Sequence, residues 1–245
     1  MDKGGPRAAA RRTATRYVTF LTSVAGWFAD ARHWQGTDGI PTRIAEHLEL
    51  TALSVVVAAV IALPIGLYLG HTGRAAFLAI NIANLGRALP SLAILAFALP
   101  VSFALGLGLG FWPTFMAMVP LAVPPILTNS FVAVRAVDRD TVEAARGMGM
   151  RELQVLRSVE TPLGAPIILG GLRTATVNVI ATATLGALVA GGGLGRYIVD
   201  GLALQEYERL FAGAVLVALL AIGTELGFGV LQRASRHTAT VGREP

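Results

Sequence analysis

The sequence predicts an all-α, polytopic membrane protein with about five transmembrane helices. Of its 245 residues, 54% are hydrophobic and 14% are charged, whereas soluble domains carry about 25% charged residues. The chain contains 28 glycines, and glycine is more frequent in transmembrane helices than in soluble ones. Several apolar runs reach the roughly 20 residues that a helix needs to cross a bilayer. Together these observations indicate a chain that is largely surrounded by lipid.

The composition also excludes several classes of function. There is no cysteine, so disulfides and thiolate metal sites are excluded, and the four histidines show no metal-binding spacing. No GxxxxGK[ST] loop occurs, so we expect the chain to bind no nucleotide through a P-loop. We also expect it to carry no cofactor. The formal net charge of +5 fits basic loops at a membrane face better than a nucleic-acid interface. A membrane serine protease is disfavoured because no GxSG turn is accompanied by a histidine in a span.

The N-terminal region is predicted to contain a tail and an interfacial segment. Residues 1–16 are basic and rich in small residues, so we expect them to be disordered. Residues 17–46 comprise a helix and a loop. The apolar run Tyr17–Ala29 is shorter than the roughly 20 residues of a span, so we expect it to lie at the membrane interface. A short sixth span is the alternative, because the basic tail would then be cytoplasmic.

Residues 47–232 are predicted to form the membrane domain, followed by a basic tail, residues 233–245. Pro64 is predicted to kink the first span. The predicted spans are residues 47–70, 76–100, 111–134, 164–190 and 210–231. With five spans, the arginine-rich segment 135–157, the turn at Arg74 and the C-terminal tail fall on one side of the membrane. The positive-inside rule assigns that side to the cytoplasm.

The polar segment 135–162, between the third and fourth spans, is the most informative part of the chain. Asp140 followed by Glu143 is typical of a capping box and predicts a helix start. A second helix is predicted from Arg151 to Glu160, where Pro162 should end it. The simplest interpretation is a solvated helical hairpin that joins two spans.

The same segment offers a surface of small residues. Glycines at positions 147 and 149 let another backbone approach closely, and methionine supplies adaptable apolar contacts. Glu143-Ala144-Ala145, followed after three residues by Gly149 and after nine more by Val159-Glu160-Thr161-Pro162, resembles the EAA signature of ABC importer membrane subunits, E-A-A-x3-G-x9-I-x-L-P. Val159 stands for isoleucine and Thr161 for leucine.

This resemblance implies a type I ABC importer-like fold and a role for loop 140–162 as the coupling element. In that family the loop docks into a separate ATPase subunit, which binds the ATP. The residues implied to contact the ATPase are Asp140, Glu143, Ala144, Ala145, Gly147, Met148 and Gly149.

Softer matches outside the loop resemble the permeases for glycine betaine, carnitine and choline. They are HLELT at 47–51, LPSLA at 89–93, PILTNS at 125–130, GLRTAT at 171–176 and GGLG at 192–195. The implied partners are ATPase subunits, an extracytoplasmic solute-binding protein and a second permease subunit, identical or related, in the cytoplasmic (inner) membrane. A permease for methionine or another small solute is the first alternative, and a secondary carrier or channel is the second.

Charged, polar and glycine-rich positions near the spans are the candidates for the transport pathway and its gates. A charge inside a span costs roughly 2.5–3.5 kcal/mol, so each one needs a reason. Arg87 either snorkels to headgroups or forms a cytoplasmic gate, and Arg173 either forms an ion pair or lines the pathway. Glu225 is predicted to pair with an arginine of a neighbouring helix. The candidate set is Arg87, Pro90, Ser91, Arg173, Asn178, Gly192, Gly193 and Gly195.

Two further expectations concern the fourth span. The polar residues Asn178, Thr182 and Thr184 are predicted to hydrogen-bond between helices rather than to touch solute. The run Gly191–Gly195 is predicted to turn sharply or re-enter near an external gate, and an ordinary end of a span is the alternative.

Overall fold

The computed structural model of the protein describes residues 6–73, 77, 81 and 88–240, and within these ranges it contains helices and no strand. Four helices are long and apolar enough to cross a membrane, and Ser91–Ala104 is a shorter apolar helix. The four are Ile40–Thr72, Phe111–Arg135, Glu152–Val189 and Tyr207–Ser235. The predicted all-α membrane fold is therefore confirmed, and four of the five predicted spans correspond to these helices.

The helices are α1 (Pro6–Ala29), α2 (Ile40–Thr72), α3 (Ser91–Ala104), α4 (Phe111–Arg135), α5 (Arg139–Gly147), α6 (Glu152–Val155), α7 (Thr161–Ala183), α8 (Gly195–Ala203) and α9 (Tyr207–Thr240). A π-helical turn, Leu156–Glu160, joins α6 to α7, and a 3-10 segment, Thr184–Val189, follows α7. We call residues 139–160 the hairpin. The ends of α2 and α4 and the start of α7 meet there, so this side of the bundle is the hairpin end.

The N-terminal helix is longer than the sequence suggested. Residues 6–16, which we expected to be disordered, belong to α1, because alanine and arginine are strong helix formers and proline suits a first helical position. α1 packs against α9 through an edge-to-face contact of Phe20 and Phe211, with ring centroids 5.4 Å apart. It is not among the helices of the described chain that are apolar enough to span a membrane.

The first two predicted spans differ from expectation at their boundaries. α2 begins at Ile40 rather than residue 47, because Pro41 lies in the first turn, where a missing N–H is harmless. α2 also continues through Pro64 without interruption. The second span is described only from residue 88 onward apart from residues 77 and 81, so Arg87 and most of the predicted range 76–88 lie outside the described residues.

The centre of the bundle is the packing of α4 between α2 and α7, and glycines make it close. A Cβ on Gly66 of α2 would lie 2.6 Å from the Leu127 carbonyl oxygen of α4, and a Cβ on Gly171 of α7 would lie 2.6 Å from the Asn129 Cβ of α4. Such approaches are typical of membrane helices, whose association depends on van der Waals packing. The three helices therefore form one closely packed body from which the hairpin projects.

Candidate functional site

The first helix of the hairpin, α5, begins two residues earlier than predicted. Its N-cap is Asp138, whose side chain accepts a 2.9 Å hydrogen bond from the backbone N–H of Asp140. Asp140, which we expected to be the cap, lies in the first turn instead, where an acidic side chain still suits the helix dipole. The predicted capping box between Asp140 and Glu143 is therefore wrong, and Glu143 projects from α5 into solvent.

Most of the predicted ATPase-contact residues share an exposed surface. Ala145 is the exception: it is buried with Val142 and Val155 in a small apolar core inside the hairpin. Its small size lets α5 approach α6, so it supports the hairpin rather than forming its outer face. The exposed residues, which we call the hairpin face, are Asp140, Glu143, Ala144, Gly147, Met148 and Gly149.

The end of α5 explains one of the two glycines. Gly149 has φ +84°, in the left-handed region that favours glycine. Its N–H donates to the Arg146 carbonyl at 2.9 Å, and the Met150 N–H donates to the Ala145 carbonyl at 3.3 Å. These two bonds form a Schellman motif, which satisfies carbonyls at the end of a helix. Gly149 is therefore needed to close the hairpin, whatever docks on it.

Replacing the two glycines with alanine should separate these roles. We expect Gly149→Ala to destabilise the hairpin by about 1–2 kcal/mol, because alanine is strained at positive φ. Gly147→Ala is the matched control, since a Cβ there meets nothing within 4 Å and its φ is not positive. Hydrogen exchange of the α5 amides in detergent should quicken only in the first variant. Equal exchange in both variants would mean that the Schellman turn does not hold the hairpin.

The second half of the hairpin is continuous with the next span. We expected a helix from Arg151 to Glu160 that Pro162 ends, but helical structure continues from Glu152 to Val189. The π turn accounts for this, because a wider turn accommodates a proline that lacks an N–H and crowds the preceding turn. The Thr161 N–H donates to Leu156 O within this turn. Movement of the hairpin is therefore linked directly to α7.

A polar network connects the hairpin to the end of α2. His71 Nδ1 lies 2.6 Å from Glu160 Oε2, and His71 Nε2 lies 3.0 Å from Glu152 Oε2. Arg146 donates to both Glu152 oxygens, at 3.1 and 2.9 Å, and this bonding raises the pKa of the Arg146 guanidinium above its ordinary value. Sequence reasoning missed this network because His71 and Glu160 are 89 residues apart and belong to no shared motif.

A cleft of about 280 Å³ lies beside the network, between the hairpin and the ends of α2 and α4. Its charged lining consists of His71, Arg135, Arg139, Glu143, Arg146 and Glu160. Within the described residues, Arg135, Arg139 and Glu143 make no ion pair. The hairpin therefore presents unpaired charges of both signs next to its small-residue face.

Glu225 pairs with an arginine of a neighbouring helix, as predicted. Arg173 of α7 forms an ion pair with Glu225 of α9 and donates a 3.0 Å hydrogen bond to Gln232. Thr182 and Thr184 differ from expectation, because their hydroxyls donate to carbonyls of their own helical segment at 2.7 and 2.8 Å. Bonding within a helix satisfies a hydroxyl in lipid without a partner helix.

The glycine run lies at the end of the bundle opposite the hairpin and contacts the start of α2. The Gly193 N–H donates to Glu46 Oε2 at 2.7 Å, and Gly193 has φ +79°. Arg43 bonds the same carboxylate oxygen at 2.8 Å, and the buried His47 contacts the Ile180 carbonyl at 2.9 Å. The run is therefore held by a polar cluster on α2.

The remaining candidates are not gathered into one place. Pro90 is the N-cap residue of α3 and Ser91 begins that helix. Asn178 is exposed on α7. Within the described residues, no side-chain hydrogen bond or ion pair joins these three residues to Arg173 or to the glycine run.

A bundle of apolar helices with an EAA-type hairpin between two spans defines a class of protein, the membrane subunit of an ABC importer. Residues 62–237 match the family described as "Binding-protein-dependent transport system inner membrane component". The chain belongs to this family, and it is a multi-pass membrane subunit of an ATP-driven importer.

Curated relatives cover most of the chain. It is 39% identical over 188 residues to the choline transport system permease protein OpuBB of Bacillus subtilis, covering 77% of this chain and 84% of that protein. It is 38% identical to the glycine betaine/carnitine/choline permease protein OpuCB of the same organism, covering 78% and 86%. It is 34% identical to the osmoprotectant import permease protein OsmW of Salmonella typhimurium, covering 72% and 82%.

Solved structures share the fold. A chain of the MetNI methionine ABC transporter, in an inward-facing conformation, aligns with a TM-score of 0.69 at 22% identity, covering 80% of this chain and 95% of that one. A chain of an amino acid ABC transporter aligns with a TM-score of 0.62 at 20% identity, covering 81% and 93%. The type I importer-like architecture predicted from the sequence is thus found in both.

Proposed function

We propose that this chain, with a second permease subunit, forms the membrane pathway of an importer for small osmoprotectants such as glycine betaine, carnitine and choline. The observation that carries the proposal is the similarity of at least 34% to relatives named for choline, carnitine and osmoprotectant transport. The methionine and amino acid importer chains are at most 23% identical to this chain in sequence, so they support the fold alone, and methionine remains the alternative substrate.

The hairpin face is the proposed binding site for the ATPase subunit. It exposes Ala144 and Gly147 beside Met148, which is 77% exposed, so a partner surface can approach the backbone and find an adaptable apolar contact. Glu143 is available for a basic residue of the partner. We expect ATP to be bound and hydrolysed by that partner rather than by this chain.

The covalent connections of the hairpin suggest how closure of the ATPase subunits drives transport. α5 follows α4 after a three-residue link, and the hairpin continues without a break into α7. A displacement of α5 therefore moves both helices, and the close glycine packing of α2 on α4 extends that motion across the bundle. Such rigid-body movement of packed helices is a common form of conformational switching.

The distribution of arginine supports an orientation with the hairpin and the C-terminus in the cytoplasm. Five arginines lie at or near the hairpin, which agrees with the positive-inside rule. They are Arg135, Arg139, Arg146, Arg151 and Arg157. The opposite end, with the run Gly191–Gly195, then faces an extracytoplasmic solute-binding protein, and we propose that Gly192, Gly193 and Gly195 form part of an external gate.

The proposed pathway suits a solute with a quaternary ammonium group. Arg173 is neutralised by Glu225 and also engages Gln232, so this candidate pathway residue does not present an isolated positive charge to a cationic solute. Selection of the cation is then the task of the solute-binding protein, for which an aromatic cage is the usual device.

Reconstitution with the ATPase subunit and the solute-binding protein tests this assignment. We expect ATP-dependent uptake of radiolabelled choline or glycine betaine into liposomes, and omission of either partner should abolish it. Unlabelled methionine in excess should not compete, whereas unlabelled carnitine should. Uptake of methionine instead of choline would show that the chain belongs to an amino acid importer. Uptake without ATP would support a secondary carrier.

A further inference from the structure

The hairpin is covalently joined to α4 and α7 but not to α2. It has its own core of Val142, Ala145 and Val155, so it can move as a unit. α2 reaches this unit at its last turn through His71. That residue is therefore placed where α2 and the moving hairpin meet.

His71 lies between two carboxylates of the hairpin, one at each ring nitrogen. Its Nδ1 is hydrogen-bonded to Glu160 at 2.6 Å, and its Nε2 is in ion-pair contact with Glu152 at 3.0 Å. A neutral imidazole has one N–H, so its other nitrogen would direct a lone pair at an ionised carboxylate. Two attractive contacts require a second proton, either on the ring or shared with Glu160. The site therefore holds one proton more than a neutral imidazole between two ionised carboxylates would have.

Burial makes this proton important. The side chains of His71 and Glu160 are 9% and 6% exposed, so breaking the pair would leave a charge poorly solvated. Glu152 is mostly exposed, but Arg146 fixes it through two hydrogen bonds. The other charged groups that line the adjoining cleft are Arg135 from α4 and Arg139 and Glu143 from α5.

We propose that His71 is a positioning residue that, in its doubly protonated form, clamps α2 to the hairpin through Glu160 and Glu152. With the clamp closed, the hairpin is fixed against the closely packed body of α2, α4 and α7, so displacement of α5 moves that body as a whole. Without the second proton, one carboxylate is repelled, and the hairpin can shift against that body. This inference rests on the proposed coupling of the hairpin to an ATPase.

The number of solute molecules transported per ATP hydrolysed measures the clamp directly. In the reconstituted complex, His71→Gln should lower this ratio by about fivefold, within the range of known coupling energies, while hydrolysis stimulated by the binding protein persists. His71→Arg, which keeps a positive charge facing both carboxylates, should retain coupling, and this rescue distinguishes a charge clamp from a merely structural role.

His33→Gln is the matched control. His33 stacks on Trp27 and contacts its carbonyl at 2.8 Å, away from the hairpin, so the transport ratio of His33→Gln should match that of the wild type. Where His71→Gln does not fold, Glu152→Gln on the exposed side of the clamp replaces it, and its ratio should also fall. Ratios equal to that of the wild type in both His71→Gln and Glu152→Gln would overturn the clamp.

The outcome for the clamp is separable from that for the proposed function. If the wild-type chain neither binds an ATPase nor transports with ATP, the coupling assignment itself fails. If the wild-type chain couples normally and His71→Gln couples equally well, the assignment stands and only the clamp is wrong.

Discussion

Glu143→Arg should abolish ATP-driven uptake while leaving the affinity of the solute-binding protein for its solute unchanged. Glu143 is exposed on the hairpin face and makes no ion pair within the described chain, so it is free to pair with a basic residue of the ATPase. Loss of a charge pair from a desolvated interface costs about 2–5 kcal/mol. Charge reversal adds repulsion, and Arg139 and Arg146 already line the adjoining cleft. Uptake should fall at least about thirtyfold, since 1.4 kcal/mol corresponds to tenfold.

Ser158→Arg is the control for this variant. Ser158 is exposed in the π turn of the same hairpin, outside α5. Its replacement by arginine therefore introduces a guanidinium without altering the hairpin face. We expect near-normal uptake and normal co-purification of the ATPase in Ser158→Arg, and loss of both in Glu143→Arg. Normal transport by Glu143→Arg would remove the hairpin face from the ATPase interface.

The spans were predictable because the bilayer imposes simple rules on a sequence. A helix that crosses lipid must be long and apolar, and its backbone hydrogen bonds must be formed within the helix. Runs such as 111–134 and 210–231 are therefore recognisable from their composition alone. The same argument predicted a partner for Glu225, because an unpaired carboxylate in a span is costly. The structure supplies that partner as Arg173.

The boundaries were less predictable, because they depend on local hydrogen bonds that several residues can make. Asp138 and Asp140 are both acceptable caps, and only the observed bond from Asp138 to the Asp140 N–H decides between them. Pro162 is usually a helix breaker, but the π turn before it keeps the helix continuous. Neither outcome has a signal in the sequence.

The hairpin also shows which part of a site can be recognised from sequence. Local spacing identified the residues of α5, and six of the seven predicted contact residues are exposed. Ala145 is buried because a helix that displays one face must pack the other. His71 joins the site only in three dimensions, through a contact across 89 residues of chain, and no periodicity or motif in the sequence indicates it.

Gly195→Ala is expected to cause the largest loss of stability among single alanine substitutions in the glycine run. A Cβ at Gly195 would lie 2.7 Å from Thr184 Cα and 2.8 Å from Thr184 C. These are backbone atoms, so no side-chain rotation relieves the overlap. Relief requires the 3-10 segment to separate from α8, which should cost about 3 kcal/mol, as overpacking of a close contact does. Thermal unfolding in detergent, followed by size-exclusion chromatography, measures the loss.

Two matched variants distinguish a structural role from a gating role. A Cβ at Gly192 would lie closest to the Glu46 carboxyl group, 2.5 Å from Oε2 and 2.8 Å from Cδ, which is the end of a flexible side chain that is 39% exposed. Because that group can turn aside, Gly192→Ala should cost about 1.5 kcal/mol, the loss of one hydrogen bond to a charged group. Gly227→Ala meets nothing within 4 Å and should melt like the wild type. If Gly195→Ala had the same melting temperature as Gly227→Ala, the close contact between Gly195 and Thr184 would be contradicted. Substitution of a gate residue changes uptake in protein that remains folded. If Gly192→Ala lowers uptake but not the melting temperature, the contact between Gly192 and Glu46 is part of the gate.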